Sequence, residues 1–509
     1  MGIGMRAVAV TSFAVASLVT ALPAAASSLP SELMQTSLVR GALPMTVFSL
    51  TALAGVALLV MLIAAAIRRA APVPAPASAP TPALIAVPLL AAVASGILGL
   101  IAAWLVSDVF MVFGVSLGWP VIITIACGIA GLGFLIAAIV VANRRRVPRT
   151  VTRRVMRALA AVLVPLALAS TGLRVDAIYG EYQTVGSLVG YSPYASIDSI
   201  TVHRASMTVE QWRSRARAHR LPSMPDATAG RIVTADIPNT RSRFHARRAM
   251  VYLPPAALSP TPPRLPVMEL LAGQPGSPGR LVAASGIASM MNAYAAAHDG
   301  LAPIVVVPDQ NGADSLNSLC ADTSQGNAET YLTRDVVDWA KRRLPVAKTP
   351  HMWAIGGFSQ GGTCTTQLAP RHPDLYGAML PVDGELKPTN GSVADMTRNY
   401  FRGRRADYDA QVPVNALAKL DPGEANGLAL FAGAGARDVE SVRNMRTIAA
   451  AARKAGMSEV TEIVVPGTGH DWHAVTAVWR PGVDWFGART GLGDMTKELK
   501  DYPQVEVQE

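Results

Sequence analysis

Four apolar stretches, roughly 42–67, 83–105, 117–143 and 155–173, dominate the first third of the chain. Each comes near the ~20 residues that a helix rising about 1.5 Å per residue needs to cross ~30 Å of hydrocarbon. The pattern therefore predicts four membrane helices. A shorter stretch, 7–26, "AVAVTSFAVASLVTALPAAA", follows Arg6 and ends in Ala24, Ala25 and Ala26 before Ser27. A charged start, an apolar middle and small residues at the end read as a signal-like segment over 1–27; an uncleaved first helix is the alternative. Residues 70–83, "AAPVPAPASAPTPA", form a proline-rich linker that favours extended backbone. The four spans carry almost no ionisable residue at mid-depth, which suits an anchor or lipid-facing platform better than a transporter or channel.

From about Arg174 the pattern changes to short apolar runs alternating with helix-like segments. "RRAMVYLPP" (247–255), "PVMELLAG" (266–273), "APIVVVPD" (302–309), "MWAIGGFS" (352–359), "YGAMLPVDG" (376–384), "GLALFAGAG" (427–435) and "VTEIVVPG" (460–467) read as strands. Several are unbroken apolar runs, as expected where both faces of a parallel sheet are covered. Helices are predicted over 281–298, 329–344, 360–371, 439–455 and 472–486. This alternation predicts a doubly wound α/β sheet over 241–509, behind an all-α membrane module at 28–173 and a less regular lead-in segment at 174–240. Residues 385–426 sit between two strands and are expected to form a cap or loop over the sheet edge.

The net charge of +10 raises nucleic acid as a partner, but its distribution argues against one. Residues 1–173 hold eleven arginines, no lysine, and only Glu32 and Asp108 as acids, which gives +9; the other 34 basic and 33 acidic residues give +1. The basicity belongs to the membrane part, where it sets topology. Arg68 and Arg69 follow the first span, and Arg144, Arg145, Arg146, Arg149, Arg153, Arg154 and Arg157 lie around the third connection. Cytoplasmic placement of these loops puts the chain after the fourth span outside, whether or not 7–26 is removed. Of the three cysteines, Cys127 lies in an apolar span and is expected to pack as a small hydrophobe. Cys320 and Cys364 are candidates for one disulfide in an oxidising compartment; two reduced thiols are the alternative.

Gly357-Phe358-Ser359-Gln360-Gly361 fits G-x-S-x-G, after a predicted strand and before a predicted helix. A nucleophilic serine has to occupy a strained turn there so that its Oγ stands clear of the sheet. It needs a base, itself oriented by an acid, and in this fold the partners follow in the order serine, acid, histidine. Three histidines follow Ser359. His372 sits at the tail of the next helix, where capping that helix end explains it. His470, in a glycine turn directly after the last apolar strand, is the candidate base, with His473 in reserve. Asp438, at the end of strand 427–435, is the candidate acid; as the residue before helix 439–455 it also suits an N-cap. Glu440 and Asp383 are the fallbacks. The oxyanion donors are expected to be the backbone N–H groups of Gln360 and Gln274. No HExxH, paired CxxC or G-x-x-x-x-G-K is present, so neither metal nor cofactor is expected.

"GGFSQGGTCTTQLAPRHPDLYGAMLPVDG", "LFAGAGARD" and "PGTGHDWHAVTAVW" resemble the Putative esterase branch of the α/β hydrolases, the family of esterase D and the secreted mycolyltransferases. The resemblance runs from about 240 to 490. "VDAIYGEYQTVGSLVG" and "CADTSQGNAETYLTRDV" are similar to polytopic actinobacterial esterases with several N-terminal membrane helices. The resemblance implies an α/β-hydrolase fold with Ser359, Asp438 and His470 as the triad. Many hydrolases carry His-Gly after the third strand, whereas Ala272-Gly273 stands here, which leaves the second oxyanion donor open. The expectation is a multi-pass membrane esterase with its catalytic domain outside, acting on a lipid or cell-envelope ester. An acyltransferase with the same triad is the alternative, and a non-catalytic envelope interaction protein a further one.

Overall fold

The computed structural model describes residues 30–70, 83–110, 116–144 and 150–508. The signal-like stretch 7–26, almost all of the proline-rich linker, and Arg145, Arg146 and Arg149 lie outside the described residues. The chain divides into two compact units, Met1–Val189 and Gly190–Glu509.

The first unit contains α1 (Ala42–Ala70), α2 (Ala83–Trp104), α3 (Trp119–Arg144) and α4 (Thr150–Tyr179). A wider helical turn, Leu105–Val109, continues α2. Four segments, Ala42–Ile67, Ile85–Val109, Trp119–Val141 and Arg154–Tyr179, are long and apolar enough to cross a membrane. The fourth outruns the apolar stretch that predicted it, because no helix breaker intervenes until Gly180, at φ +69°. Leu58, Leu62, Leu135, Met156 and Leu163 form an inner apolar seam. A methyl group on Gly133 would lie 2.0 Å from Ser95 Oγ, so the missing side chain lets α2 and α3 approach closely. Leu53, Leu90 and Leu98 point outward and are about two-thirds exposed, a surface that suits hydrocarbon and not water. Cys127 also lies exposed on α3, in place of the expected packed position.

The second unit is built on a nine-stranded sheet. Its strands are β1 (Arg231–Ala235), β2 (Ala249–Leu253), β3 (Val267–Leu271), β4 (Ile304–Val307), β5 (Trp353–Phe358), β6 (Ala378–Val382), β7 (Ala429–Gly435), β8 (Glu459–Val465) and β9 (Glu506–Gln508). They lie in the order β1-β2-β4-β3-β5-β6-β7-β8-β9. β4, β3, β5, β6, β7 and β8 run parallel, and antiparallel pairs close both ends. β2 to β7 are buried along their length, which is why all but β3, with its buried Glu269, read as apolar runs.

α5 (Val209–Arg217), α6 (Pro278–Ser285), α7 (Ile287–Ala297), α8 (Gln360–Leu368), α9 (Val439–Ala455) and α10 (Trp472–Arg489) belong to the same unit. The helix expected over 281–298 is two, parted at Gly286 with φ +65°. Residues 385–426 fold as four short helices, Val393–Asn399, Arg405–Asp409, Pro413–Leu417 and Pro422–Gly427. Met396, Phe401 and Tyr408 from this segment pack with Leu319 and Ala321 in a small core of their own. The boundary between the units falls within the lead-in segment 174–240, and that segment also supplies β1 to the sheet edge.

Candidate active site

β5 delivers Ser359 at its C-terminal end, and α8 begins at the next residue. Ser359 has φ 56° and ψ −116°, a region that costs a non-glycine residue of order 1–3 kcal/mol. Its backbone N–H donates to the Val382 carbonyl of β6 at 2.9 Å, and its carbonyl accepts from Thr363 N–H at 3.0 Å. The flanking glycines permit this turn. A methyl group on Gly361 would lie 2.2 Å from the Leu271 carbonyl oxygen, and one on Gly357 would lie 2.4 Å from the Gly361 carbonyl group. The N-terminus of α8 can therefore seat directly on β3 and β5.

Two later strand ends converge on this serine. His470, in the loop after β8, places Nε2 2.8 Å from Ser359 Oγ. Its Nδ1 lies 2.8 Å from Asp438 Oδ2, in the turn after β7. Asp438 also accepts from Ser441 N–H at 3.1 Å and Ser441 Oγ at 2.6 Å. The aspartate thus caps α9 and orients the imidazole at once, so the two readings of this residue coexist. The Phe358 ring packs against the imidazole, 5.0 Å between centroids.

The electrostatics follow from burial and pairing. The imidazole is 9% exposed. Burial disfavours its charged form, but the hydrogen bond to Asp438 and the nearby Asp383, Asp438 and Glu385 carboxyls outweigh it and hold the His470 pKa above its ordinary value. Burial pushes Asp438 up, while the bonds from His470 and Ser441 more than offset this and leave it below the usual carboxylate range.

Most of the remaining sequence candidates lie elsewhere. His473 is the second residue of α10, exposed, with its backbone N–H on Asp471 Oδ1. Glu440 is exposed in the first turn of α9. His372 pairs with Glu329 at 2.8 Å. Asp383 is close: its carboxylate, that of Asp438 and the His470 ring nitrogen lie within 4.8 Å of one another. Asp383 Oδ1 accepts from Gly435 N–H at 2.9 Å, while Oδ2 is buried with no hydrogen-bond partner among the described residues. Burial pushes this carboxyl up to about 8. Three such groups could hold a cation, but both imidazole nitrogens are already engaged, so an ion would have to break the serine–histidine–aspartate chain.

Ala272, Gly273 and Gln274 leave β3 beside the serine; a methyl group on Gly273 would lie 3.5 Å from Ser359 Cβ. Among the described residues, neither the Gln274 nor the Gln360 backbone N–H has an acceptor. Cys320 and Cys364 form a disulfide, with Cα atoms 5.7 Å apart, which ties the loop after β4 to α8. That loop also holds amides the sequence reading missed. Gln310, Asn311 and Asn317 all reach the Gln360 side chain. Their only signal in the sequence is an amide-rich stretch directly after a strand.

Residues 244–482 match the family described as "Putative esterase". An uncharacterized protein of Corynebacterium glutamicum is 31% identical over 350 residues, covering 66% of this chain and 77% of that one. The chain belongs to the Putative esterase family. Among solved structures, a ferulic acid esterase matches with a TM-score of 0.42 and 19% identity, over 52% of this chain and 100% of its own. An S-formylglutathione hydrolase from Agrobacterium tumefaciens matches with a TM-score of 0.41 and 15% identity, over 53% of this chain and 99% of its own. The family match begins after β1 and contains Ser359, Asp438 and His470. The four apolar helices lie before it.

Proposed function

We propose that the protein is a membrane-anchored, extracytoplasmic serine esterase that cleaves a carboxylic ester of a lipid or cell-envelope component. The observation that carries the reading is the continuous hydrogen-bonded chain from Ser359 Oγ through His470 to Asp438, on a strained turn at the C-terminal rim of the sheet. His470 Nε2 takes the serine proton as Oγ attacks the ester carbonyl, then returns it to the departing alcohol. Water, activated by the same imidazole, releases the acid from the acyl-serine. Asp438 keeps Nδ1 protonated and steadies the imidazolium. The N–H groups of Gln360 and Gln274 serve as donors to the oxyanion.

The arginine-rich connections support an extracytoplasmic catalytic unit, as does the Cys320–Cys364 bond. Tethering beside a bilayer raises the effective concentration of substrates that reside in it, which favours a lipid or envelope ester over a freely diffusing one. The test is fluorophosphonate labelling and ester turnover by the purified full-length protein. An adduct on Ser359, and loss of turnover by at least about 10³-fold in Ser359→Ala, are expected. No adduct, or full turnover by the variant, would remove the mechanism. Product analysis with and without added alcohols then separates hydrolysis from acyl transfer.

A further inference from the structure

We infer that Gln310 is a positioning residue, which clamps the two sides of the oxyanion site to each other through its side-chain amide. Its Nε2 donates to the Ala272 carbonyl at 2.6 Å and to Gln360 Oε1 at 3.4 Å. Ala272 closes the peptide that leads into Gly273 and Gln274, on one side of the serine. Gln360 directly follows the serine on the other side. One amide nitrogen therefore bridges the two segments whose N–H groups serve as donors. The inference rests on the serine-esterase reading above.

The bridge is part of a larger clasp. Asn311 Nδ2 donates to Gln360 Oε1 at 2.7 Å. Gln360 Nε2 donates in turn to Asn311 Oδ1 at 3.0 Å and Asn317 Oδ1 at 2.7 Å. The Gln360 side chain is thus held at both ends by one loop, 309–320. The same loop reaches the other segment a second time, since Gln274 Nε2 donates to the Asp314 carbonyl at 3.4 Å. Arg247 fastens them further: its guanidinium binds Asp309 at 2.8 and 2.9 Å, pairs with Asp314, and donates to the Gly276 carbonyl at 2.8 Å.

The loop is itself rigid enough to act as a spacer. Asp309 accepts from Asn311 N–H and Gly312 N–H at its start, and Cys320 is bonded to Cys364 on α8 at its end. Gln310 is 1% exposed and Asn311 3% exposed. Burying such amides is costly unless each is hydrogen-bonded, and apolar side chains would fill this space without that cost. What the amides add is direction. They fix the peptide plane before Gly273 and the side chain beside the Gln360 N–H, and donors must lie within a few tenths of an ångström of the developing oxyanion to stabilise it.

The experiment uses full-length protein and two variants, Gln310→Glu and Asn317→Ala. Gln310→Glu keeps the size of the side chain but sets an acceptor against the Ala272 carbonyl and Gln360 Oε1. Asn317→Ala removes one partner of Gln360 at a partly exposed position and spares Gln310. For a chromogenic ester, kcat is expected to fall roughly 10- to 100-fold in Gln310→Glu, below the 10²–10³ for loss of a whole donor. KM should stay within about twofold, and Asn317→Ala should show a smaller change of the same kind. The infrared carbonyl band of the acyl-enzyme should move to higher frequency as its hydrogen bonds weaken, a signature that a purely structural role would not produce. If Gln310→Glu fails to fold, Asn317→Ala decides alone: an unchanged kcat and an unmoved band overturn the clasp. The same result in a folded Gln310→Glu also overturns it. Fluorophosphonate labelling of the unsubstituted protein keeps the two claims apart. Without an adduct the serine reading fails; with an adduct and normal variants, only the clasp fails.

Discussion

At the residue scale, the chemistry depends on which proton each group holds. In the proposed mechanism His470 acts as a base only when neutral, and its pKa is held above the ordinary value near 6.5. The acid limb of kcat/KM against pH should therefore have its midpoint above about 6.5. Asp438→Asn removes the hydrogen-bonded carboxylate, one of the groups that raise it, so the midpoint should move down while kcat falls by about 10⁴-fold. Asp383 gives a prediction of the opposite kind. Burial raises it to about 8 in the folded protein, whereas the unfolded chain releases the proton near 3.9. Between those values the folded state binds more proton than the unfolded one, so stability falls as pH rises. Asp383→Asn keeps an oxygen for Gly435 N–H and removes that slope. Melting curves from pH 5 to 8 should show the variant gaining steadily on the unsubstituted protein; a constant difference would contradict this. Ser359, His470 and Asp438 were legible in the sequence because G-x-S-x-G and strand order restrict where they stand. Gln310 was not, because a side-chain amide that bonds across 38 residues to Ala272 leaves no periodic trace.

At the scale of elements, burial decided what could be read. β4, β5, β6 and β7 are covered on both faces and show as continuous apolar runs. β1 carries an exposed Arg231, and β9 has only three residues, two of them polar and one partner strand. Such edge strands owe their existence to neighbours and not to their own composition. Gly286 broke a helix that periodicity alone joins, since its left-handed backbone ends one helix and starts the next. The link between the β4 loop and α8 is open to direct test. Cys320 and Cys364 are separated by 44 positions, and closing a loop of that length in the unfolded chain corresponds to roughly 4 kcal/mol in the chain-entropy account. Cys320→Ser should lower the denaturation midpoint followed by tryptophan fluorescence, and reductant should do the same to the unsubstituted protein but leave the variant unmoved. Six of the eight tryptophans, residues 212, 339, 353, 472, 479 and 485, lie in the second unit, so the signal reports on it.

At the scale of the whole molecule, charge is segregated: +9 in residues 1–173 and +1 in the remainder. The proposed topology follows from where those arginines stand between spans. Ser214 is exposed on α5, so Ser214→Cys provides an address label. A membrane-impermeant maleimide should modify it in intact cells; modification only after lysis would place the second unit in the cytoplasm. The relay has one more consequence. Its serine and imidazole are 111 positions apart, and the imidazole arrives only with β8, among the last segments of the sheet to emerge during synthesis. Until that segment docks, the hydroxyl lacks its hydrogen-bond acceptor on His470, so under the proposed mechanism a half-made chain cannot yet cleave an ester.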